Sequence, residues 1–340
     1  MNEQELLAAA WRGDENAFGR LVEPYRRELL AHCYRMLGSV QDAEDALQDA
    51  LLGAWRGLAR FEGRSSLRSW LYTITTNACL KAIRRRPKRV LPIDYGPAAD
   101  PHDRPAEPVV ESVWVDPYPD EHLFVADDTA SPEVRYEQRE SVELAFIAAL
   151  QHLAARQRAV LILRDVLGFS ARETAEMLDT KPTSVDSILQ RAHKSVDARL
   201  PEQSQQTALR SLGDAELREI VDGFMNAWER CDVDAVVAML TEEATMTMPP
   251  QPSWYRGRDA VAAFLATRPL RDGRRWRVVP TRANGQLAFG HYIWDADESV
   301  FAPDGISVLT LRGTQIEDLT VFRDPEAMAR FGLPSQIEAS

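Results

Sequence analysis

The segment LAARQRAVLILRDVLGFSARETAEMLDTKPTSVDSILQRAHKSVDARL, residues 153 to 200, decides the fold of the region around it. Gly168 ends one helix and Ser170 caps the next, because glycine stops a helix readily and a serine hydroxyl satisfies free N–H groups at a helix start. Asp179 to Lys181 form a turn, and Pro182 begins a further helix, where its missing N–H costs little. The segment predicts a helix-turn-helix with an additional helix before it.

The last helix of this motif has an apolar face and a polar face. Its apolar residues, from Val185 to Ala192, recur at the spacing of one buried helical side. The second helix of such a motif enters the major groove of DNA, so we expect the polar side to read base edges and phosphates. That side carries Thr183, Ser184, Ser187, Gln190 and Arg191, with Arg172 and Lys194 placed to hold backbone phosphates. The alternative is a structural helical hairpin whose polar face is merely solvated.

A second DNA-binding pattern lies in FEGRSSLRSWLYTITTNACLKAIRRRPKR, residues 61 to 89. A short loop leads into a helix that carries aromatic residues and an asparagine and ends in a basic cluster. Aromatic rings stack on unpaired bases, asparagine hydrogen-bonds base edges, and basic residues follow phosphates, which suits a locally opened strand. The candidates are Arg64, Ser65, Ser66, Arg68, Trp70, Tyr72, Asn77, Lys81, Arg84 and Arg85. For the two aromatic residues, a place in a small helical core is the alternative.

The charges are segregated along the chain, although the formal net charge is -12. From Arg60 to Arg89 there are nine basic residues and one acid, whereas from Asp94 to Glu143 there are fourteen acids and three arginines. The basic segment suits phosphate binding. The acidic segment can occupy that basic surface and compete with DNA, or it can serve only to keep a linker extended and soluble. The acids that would test the competition are Asp116, Asp120, Glu121, Asp127 and Asp128.

The segment DAEDALQDALLGAW, residues 42 to 55, predicts an amphipathic helix with an acidic polar face. That face consists of Asp42, Asp45, Gln48 and Asp49. It is either solvated or a receiver for a basic partner helix, and the spacing alone favours neither.

The remaining pattern divides the chain into domains. Seven prolines between residues 92 and 119 exclude a regular helix and predict an extended or disordered linker. After residue 213, an amphipathic helix leads into a run of β-like segments, which predicts an α+β domain with a curved antiparallel sheet around helices. We expect a helical domain at 1–90, a Pro-rich acidic linker at 91–131, a helix-turn-helix domain at 132–200, a short linker at 201–212 and the α+β domain at 213–335.

Several classes of protein are excluded at this stage. Apolar runs fall well short of the roughly 20 residues that a bilayer requires, and the acidic N-terminus does not resemble a signal peptide, so a cytoplasmic protein is expected. Cys33, Cys79 and Cys231 are isolated and have no metal-ligand spacing, so they are expected to be buried thiols. No metal and no cofactor are predicted.

The two DNA-binding segments, with the 42–55 helix before them and a long linker between them, resemble the extracytoplasmic-function (ECF) sigma factors of bacterial RNA polymerase over roughly residues 5 to 199. The resemblance implies that the first domain is sigma region 2, whose 42–55 helix, including Trp55, docks on the core polymerase, and whose 61–77 segment opens and reads the -10 element. It implies that the 153–199 module is region 4, which reads the -35 element. Core RNA polymerase, through its β and β′ subunits, and promoter DNA are the implied partners.

The C-terminal segments MTMPPQPSWYRGRDAVAAFL, WRVVPTRANGQLAFGHYIW and FGLP resemble a SnoaL-like domain of the NTF2 superfamily. Such a domain is fused to a subgroup of these sigma factors, the actinobacterial sigma J or sigma G type, and the resemblance implies that it modulates their activity. Domains of this class often enclose a ligand pocket. The candidate lining is Met246, Met248, Trp254, Tyr255, His291, Tyr292 and Trp294.

The C-terminal domain can be a small-molecule sensor, an intramolecular or polymerase-contacting module, or an enzyme. Acid–base catalysis requires paired titratable groups, and nothing in the sequence pairs Asp234, His291 and Asp295. We therefore expect a sigma factor without a reaction of its own, whose tail or linker contacts its sigma domains. The rival is an NTF2-like enzyme or sensor with a DNA-binding N-terminal module. A polymerase-independent repressor is disfavoured, because it would not need the 42–55 helix.

Overall fold

The computed structural model describes residues 2–109, 113–123, 140–201 and 203–339. The chain divides into two compact units. The first comprises Met1–Arg89, Glu121–Ser141 and Ala145–Leu200, and the second comprises Val90–Asp120, Val142–Leu144 and Pro201–Ser340. The predicted linker thus differs in one respect, because its first part belongs to the C-terminal unit. Residues 124 to 131 of that linker, and residues 132 to 139 of the predicted helix-turn-helix domain, lie outside the described residues.

The described α-helices and strands are these, in chain order. The helices are α1 Glu3–Trp11, α2 Glu15–Val22, α3 Arg26–Leu37, α4 Val40–Gly57, α5 Leu67–Ile83, α6 Pro92–Tyr95, α7 Asp120–Leu123, α8 Leu144–Gln151, α9 Ala155–Leu161, α10 Ala171–Met177, α11 Pro182–Asp197, α12 Gln205–Ser211, α13 Asp214–Glu229, α14 Val233–Ala238 and α15 Arg258–Thr267. The strands are β1 Leu240–Met248, β2 Gln251–Arg256, β3 Trp276–Ala283, β4 Gln286–Asp295, β5 Val300–Arg312, β6 Gln315–Phe322 and β7 Ile337–Glu338.

The first unit is helical, and its N-terminal half packs around α3, α4 and α5. Gly38 ends α3 in a left-handed conformation (φ 68°), and the Ser39 hydroxyl accepts a hydrogen bond from Asp42 N at the start of α4. The core between α3 and α5 includes a polar contact, because His32 Nε2 lies 2.9 Å from Thr76 Oγ1 with both residues fully buried. The thiols of Cys33 and Cys79 are also buried there, as predicted, whereas Cys231 of the second unit is only half-buried, so the prediction is wrong for that residue.

The second unit contains one twisted sheet with helices against it. The strand order is β2-β1-β6-β5-β4-β3, and β7 pairs with β5 at the side. The prediction of a wholly antiparallel sheet is wrong for one pair, because β1 and β6 run parallel. The β5–β6 hairpin brings β6 back beside the first strand of the sheet, and its direction there is set by β5 rather than by β1. The strand β2, which the sequence pattern did not identify, pairs antiparallel with β1.

The Pro-rich linker follows β2 rather than lying free. Ala99 N donates to Trp254 O at 2.8 Å, and Val109 N donates to Pro250 O at 2.9 Å. The indole Nε1 of Trp254 returns a bond to Gly96 O at 2.8 Å. Beyond the single turn of α6, the described residues between 96 and 119 form no regular helix, but their backbone groups find partners on the sheet edge. The described helices include none that is both long enough and apolar enough to cross a bilayer.

Candidate functional site

The helix-turn-helix of the first unit is built from local capping interactions. Ser170 Oγ accepts from Glu173 N at 3.2 Å, and Glu173 Oε2 accepts from Ser170 N at 2.8 Å, which forms a reciprocal capping box at the start of α10. The hydrogen bond from Ser170 lowers the pKa of Glu173. Gly168 (φ 71°) and Asp179 (φ 48°) take the left-handed conformations that turn the chain before and after α10. The chain then enters α11 through Lys181 and Pro182.

The helix α11, the candidate recognition helix, has the buried face and the polar face that its sequence predicts. Val185, Ala192 and Val196 are buried. The polar side is solvent-exposed at Thr183, Ser187, Gln190, Arg191 and Lys194, and half-buried at Ser184. On α10, Arg172 is exposed and pairs with Glu176 at 3.1 Å. The predicted -35 candidates therefore lie together on one accessible surface.

The helix α5 and the loop before it present a second accessible surface. Ser66 caps α5 by accepting from Ser69 N at 3.1 Å, and the half-buried Trp70 packs on Phe61 with ring centroids 4.8 Å apart. The exposed predicted -10 candidates are Arg64, Ser65, Ser66, Asn77, Lys81, Arg84 and Arg85. They combine amide, hydroxyl and guanidinium groups with one partly accessible aromatic ring, which is the chemistry that binds single-stranded DNA.

Tyr72 and Arg68, although predicted to bind the -10 element, are not part of this exposed surface. The Tyr72 side chain is fully buried, with its ring 5.3 Å from His32 and 5.2 Å from Phe169, so it is a core residue and not a stacking platform for bases. The Arg68 guanidinium is half-buried, lies 4.9 Å from the Phe169 ring centroid and pairs with Glu28 at 3.3 Å. The spacing of apolar residues in α5 could not predict the burial of Tyr72 and Arg68, because Phe169 comes from the helix-turn-helix segment, which is distant in sequence.

The polar residues of the acidic helix α4 separate into a buried one, Asp42, and exposed ones. Asp42 is buried and forms ion pairs with Arg86 and with the buried Arg89, whose Nε lies 3.1 Å from Asp42 Oδ2. Such a pair holds two charges inside the unit, where loss of either partner leaves the other uncompensated. Asp45 pairs with Arg86 at 3.2 Å but remains exposed.

The outward face of α4 carries both polar and apolar groups. Gln48 and Asp49 are exposed, and Trp55 is half-buried against Phe18 at 5.2 Å between ring centroids. Leu52 lies on the same helix and is 47 % exposed. Sequence reasoning missed this residue, because an apolar position within an apolar-rich helix is assigned to the core by default.

The second unit contains a cavity of about 310 Å³. Its buried walls come from the sheet and from α13, and they include Trp228, Met246, Met248, Trp276 and His291. The remainder of its lining is rich in arginine. The linker contributes Arg104, Pro105, Ala106, Glu107 and Pro108, and the C-terminal domain contributes Arg268, Arg271, Arg274 and Arg323, among others.

Only some of the predicted pocket residues line this cavity. Met246, Met248 and His291 line the cavity, whereas Trp254, Tyr255 and Trp294 do not. The Tyr255 ring stacks on Phe264 at 4.4 Å, and Trp294 lies under the Arg275 guanidinium at 4.2 Å. Tyr292 donates from its hydroxyl to Pro334 O at 2.8 Å. Trp228, Trp276 and the arginines were missed, because their separation in sequence gives no periodic signal.

His291 is a neutral side chain held in place. It is 1 % exposed, its Nε2 lies 2.7 Å from Ser307 Oγ, and burial lowers its pKa to about 3. Of the two carboxylates considered with it, Asp234 is exposed on α14, and Asp295 accepts from Asp297 N in the β4–β5 turn. Neither lines the cavity.

Comparison with protein families accounts for all three folded parts. Residues 21–89 match sigma-70 region 2, residues 143–196 match sigma-70 region 4, and residues 221–319 match a SnoaL-like domain.

Three known proteins are similar to this chain. The ECF RNA polymerase sigma factor SigG of Mycobacterium tuberculosis (strain H37Rv) is 41 % identical over 328 residues, which covers 96 % of this chain and 85 % of that protein. SigM of the same strain is 35 % identical over 191 residues, 56 % of this chain and 81 % of its own length. The crystal structure of the extracytoplasmic function sigma factor SigJ of M. tuberculosis shares the fold, with a TM-score of 0.56 at 22 % identity over 91 % of this chain and 97 % of that one. This chain therefore belongs to the ECF RNA polymerase sigma factors and carries a C-terminal SnoaL-like domain.

Proposed function

We propose that this chain binds core RNA polymerase in the cytoplasm and directs it to promoters through two DNA-reading surfaces. The observation that carries the proposal is the exposed polar side of α11. Its small and amide side chains are open to solvent, and the buried residues of the helix lie on the opposite side. Side chains of this kind at the N-terminal part of a recognition helix read base edges in the major groove.

The division of labour follows the two surfaces. The -35 element is read by α11, with Arg172 and Lys194 on the phosphates. The -10 element is captured by the loop 64–66, Trp70 and Asn77, and the basic end of α5 follows the strand. Arg68 joins them once it leaves Phe169. The nominal positions of the two elements differ by about 25 base pairs, roughly 85 Å at 3.4 Å per pair. Region 4 must therefore separate from Tyr72 and Arg68 before both elements are engaged.

The polymerase contact is assigned to the outward face of α4. Asp45, Gln48, Asp49 and Trp55 supply it together with Leu52, whereas Asp42 acts from inside by holding Arg86 and Arg89. An exposed apolar side chain surrounded by carboxylates offers burial and charge complementarity to a basic partner surface.

The SnoaL-like domain is assigned a modulating role without a reaction of its own. Its buried histidine is a weak base because of its lowered pKa, and the lining carboxylate Asp304 is engaged by Arg323 at 3.1 Å. Acid–base chemistry near pH 7 calls for groups poised near that pH, so this geometry supports binding rather than catalysis. The linker that joins regions 2 and 4 packs on this domain, which gives the domain a direct route to the DNA-reading regions.

Run-off transcription with purified core polymerase on a genomic promoter library tests the proposal. The full chain is expected to give specific transcripts, and the double variant Gln190→Ala, Arg191→Ala is expected to lose most of them, at about 1–3 kcal/mol for each base contact removed. Asp197→Asn, an exposed change at the far end of α11, is the matched control and should retain them. A full chain that yields no polymerase-dependent transcript would overturn the proposed function.

A further inference from the structure

The arginine-rich part of the cavity has more positive charge than its own acids neutralise. Two acids lie in the lining, and each is engaged: Glu107 accepts from Arg104 at 2.9 Å, and Asp304 pairs with Arg323. Within the described part of the chain, Arg268, Arg271 and Arg274 have no carboxylate within ion-pair distance. Three guanidinium groups at one opening attract an anion, for which their planar donor geometry is well suited.

The buried end of the cavity has hydrogen-bonding atoms without partners. Trp228 and His291 are 2 % and 1 % exposed, with ring centroids 4.6 Å apart. Among the described residues, neither Trp228 Nε1 nor His291 Nδ1 has a hydrogen-bond partner. Buried polar atoms are normally satisfied, and an indole N–H can only donate. A ligand with an oxygen acceptor at its apolar end would complete this site.

One wall of the cavity is the linker between the two sigma regions. Arg104, Ala106 and Pro108 are among its lining residues. This segment is held by Ala106 N, which donates to Ser253 Oγ at 2.8 Å, and by the bond from Val109 N to Pro250 O. The complete cavity therefore exists only while the linker is docked on β2.

We propose that this cavity binds a small organic anion, a carboxylate on an apolar body with a hydrogen-bond acceptor at its buried end, and that the bound molecule holds the linker on the SnoaL-like domain. The volume of about 310 Å³ stands at the lower end of the range for small-molecule sites, about 300–1,000 Å³. A ligand that contacts the docked linker binds the docked state better than the undocked one, so it shifts the equilibrium toward docking.

The effect on promoter use rests on the proposed sigma-factor function, but binding and docking do not. Both are measured on the full chain without polymerase or DNA. A failure of transcription therefore leaves these measurements intact, and a failure of binding leaves the sigma-factor function intact.

Calorimetric titration with a matched set of compounds tests the ligand chemistry. The probe is 4-(4-hydroxyphenyl)butanoate, compared with 4-(4-hydroxyphenyl)butan-1-ol and the corresponding amine. The carboxylate is expected to bind at least about tenfold more tightly than the alcohol, and the amine more weakly than either, because only the carboxylate pairs with the arginines. Arg268→Gln combined with Arg274→Gln should remove that preference, whereas Arg218→Gln, an exposed arginine of α13 outside the cavity, should retain it. Equal affinity for acid and alcohol, or no binding of the acid at millimolar concentration, would overturn the assignment.

Hydrogen exchange tests the coupling to the linker. At saturating carboxylate, the amides of Ala106 and Val109 should exchange several-fold more slowly, while those of α10 should not change. Ser253→Ala removes the acceptor for Ala106 N and should weaken binding of the carboxylate by several-fold, because the docked linker is then less populated. Binding of the carboxylate without slower exchange at either amide would show that the linker is not part of the site.

Discussion

The two helices proposed to read DNA, α5 and α11, differ in how many of their sides are buried. In α11 the buried residues Val185, Ala192 and Val196 form one stripe, and the opposite side is open to solvent. In α5 the buried positions run from Leu67 to Cys79 and face both the neighbouring helices and Phe169 of the helix-turn-helix segment. Apolar residues that recur every 3.6 positions identify the solvent-exposed side of a helix that packs on one side only. They do not identify it for a helix that packs on several sides.

The largest effect is expected from Tyr72→Ala, a substitution on the buried side of α5. Removal of a fully buried aromatic ring should lower the free energy of unfolding by about 3–5 kcal/mol. Asn77→Ala, on the exposed side of the same helix, should leave unfolding within about 0.5 kcal/mol and reduce promoter opening instead. Chemical denaturation and permanganate footprinting of the opened promoter measure the two effects. The contrast between the sides of α5 would fail if Tyr72→Ala were stable and defective only in opening.

A smaller effect is expected from acid, through His32 beneath Tyr72. Burial lowers the pKa of His32 to about 3, so the folded chain keeps this group neutral while the unfolded chain protonates it near pH 6.5. The stabilisation from the neutral group is present above pH 6.5 and is lost as the pH falls below that value, by about 2 kcal/mol at pH 5.

The variant His32→Gln should therefore show a shallower decline of unfolding free energy between pH 6.5 and 5. Identical slopes for His32→Gln and the wild type would mean that this buried ring does not control the acid response.

The smallest effect is expected where the two regions meet. Phe169→Leu keeps an apolar side chain but removes the ring that Tyr72 and the Arg68 guanidinium contact. It should lower the unfolding free energy by about 1 kcal/mol. A double-mutant cycle with Arg68→Gln should give a coupling of about 0.5–1 kcal/mol, because the cation lies over the ring. A coupling of zero would remove Phe169 as a link between α5 and the helix-turn-helix.

Local chemistry made much of this architecture predictable. The stop at Gly168, the cap at Ser170 and the turn after α10 involve residues a few positions apart, and each was identified from the sequence. The β-like segments of the C-terminal domain were also found, but β2 was not, because its register depends on β1 rather than on its own pattern. The parallel β1–β6 pair was missed for the same reason.

Features that join distant segments were not predictable. The Asp42–Arg89 pair connects positions in separate motifs, and spacing within α4 showed only an acidic side. The cavity draws on Trp228, Trp276, the arginines after α15 and the linker, which no periodicity connects. Proline density correctly indicated that the described residues between 96 and 119 form no regular helix, but irregular backbone can still be ordered when an open strand edge supplies its hydrogen bonds.

The docked linker also bears on which promoters the chain can use. The linker segment between Val90 and Val109 is hydrogen-bonded to β2 and the turn before it through Ala99, Ala106 and Val109, so it does not add freely extensible chain between the two helices proposed to read DNA. Promoters whose -10 and -35 elements are further apart require more reach, which this stretch supplies only after it leaves the sheet edge. The SnoaL-like domain would then act as a filter on spacer length, admitting short spacers while the linker is docked and longer ones when it is released.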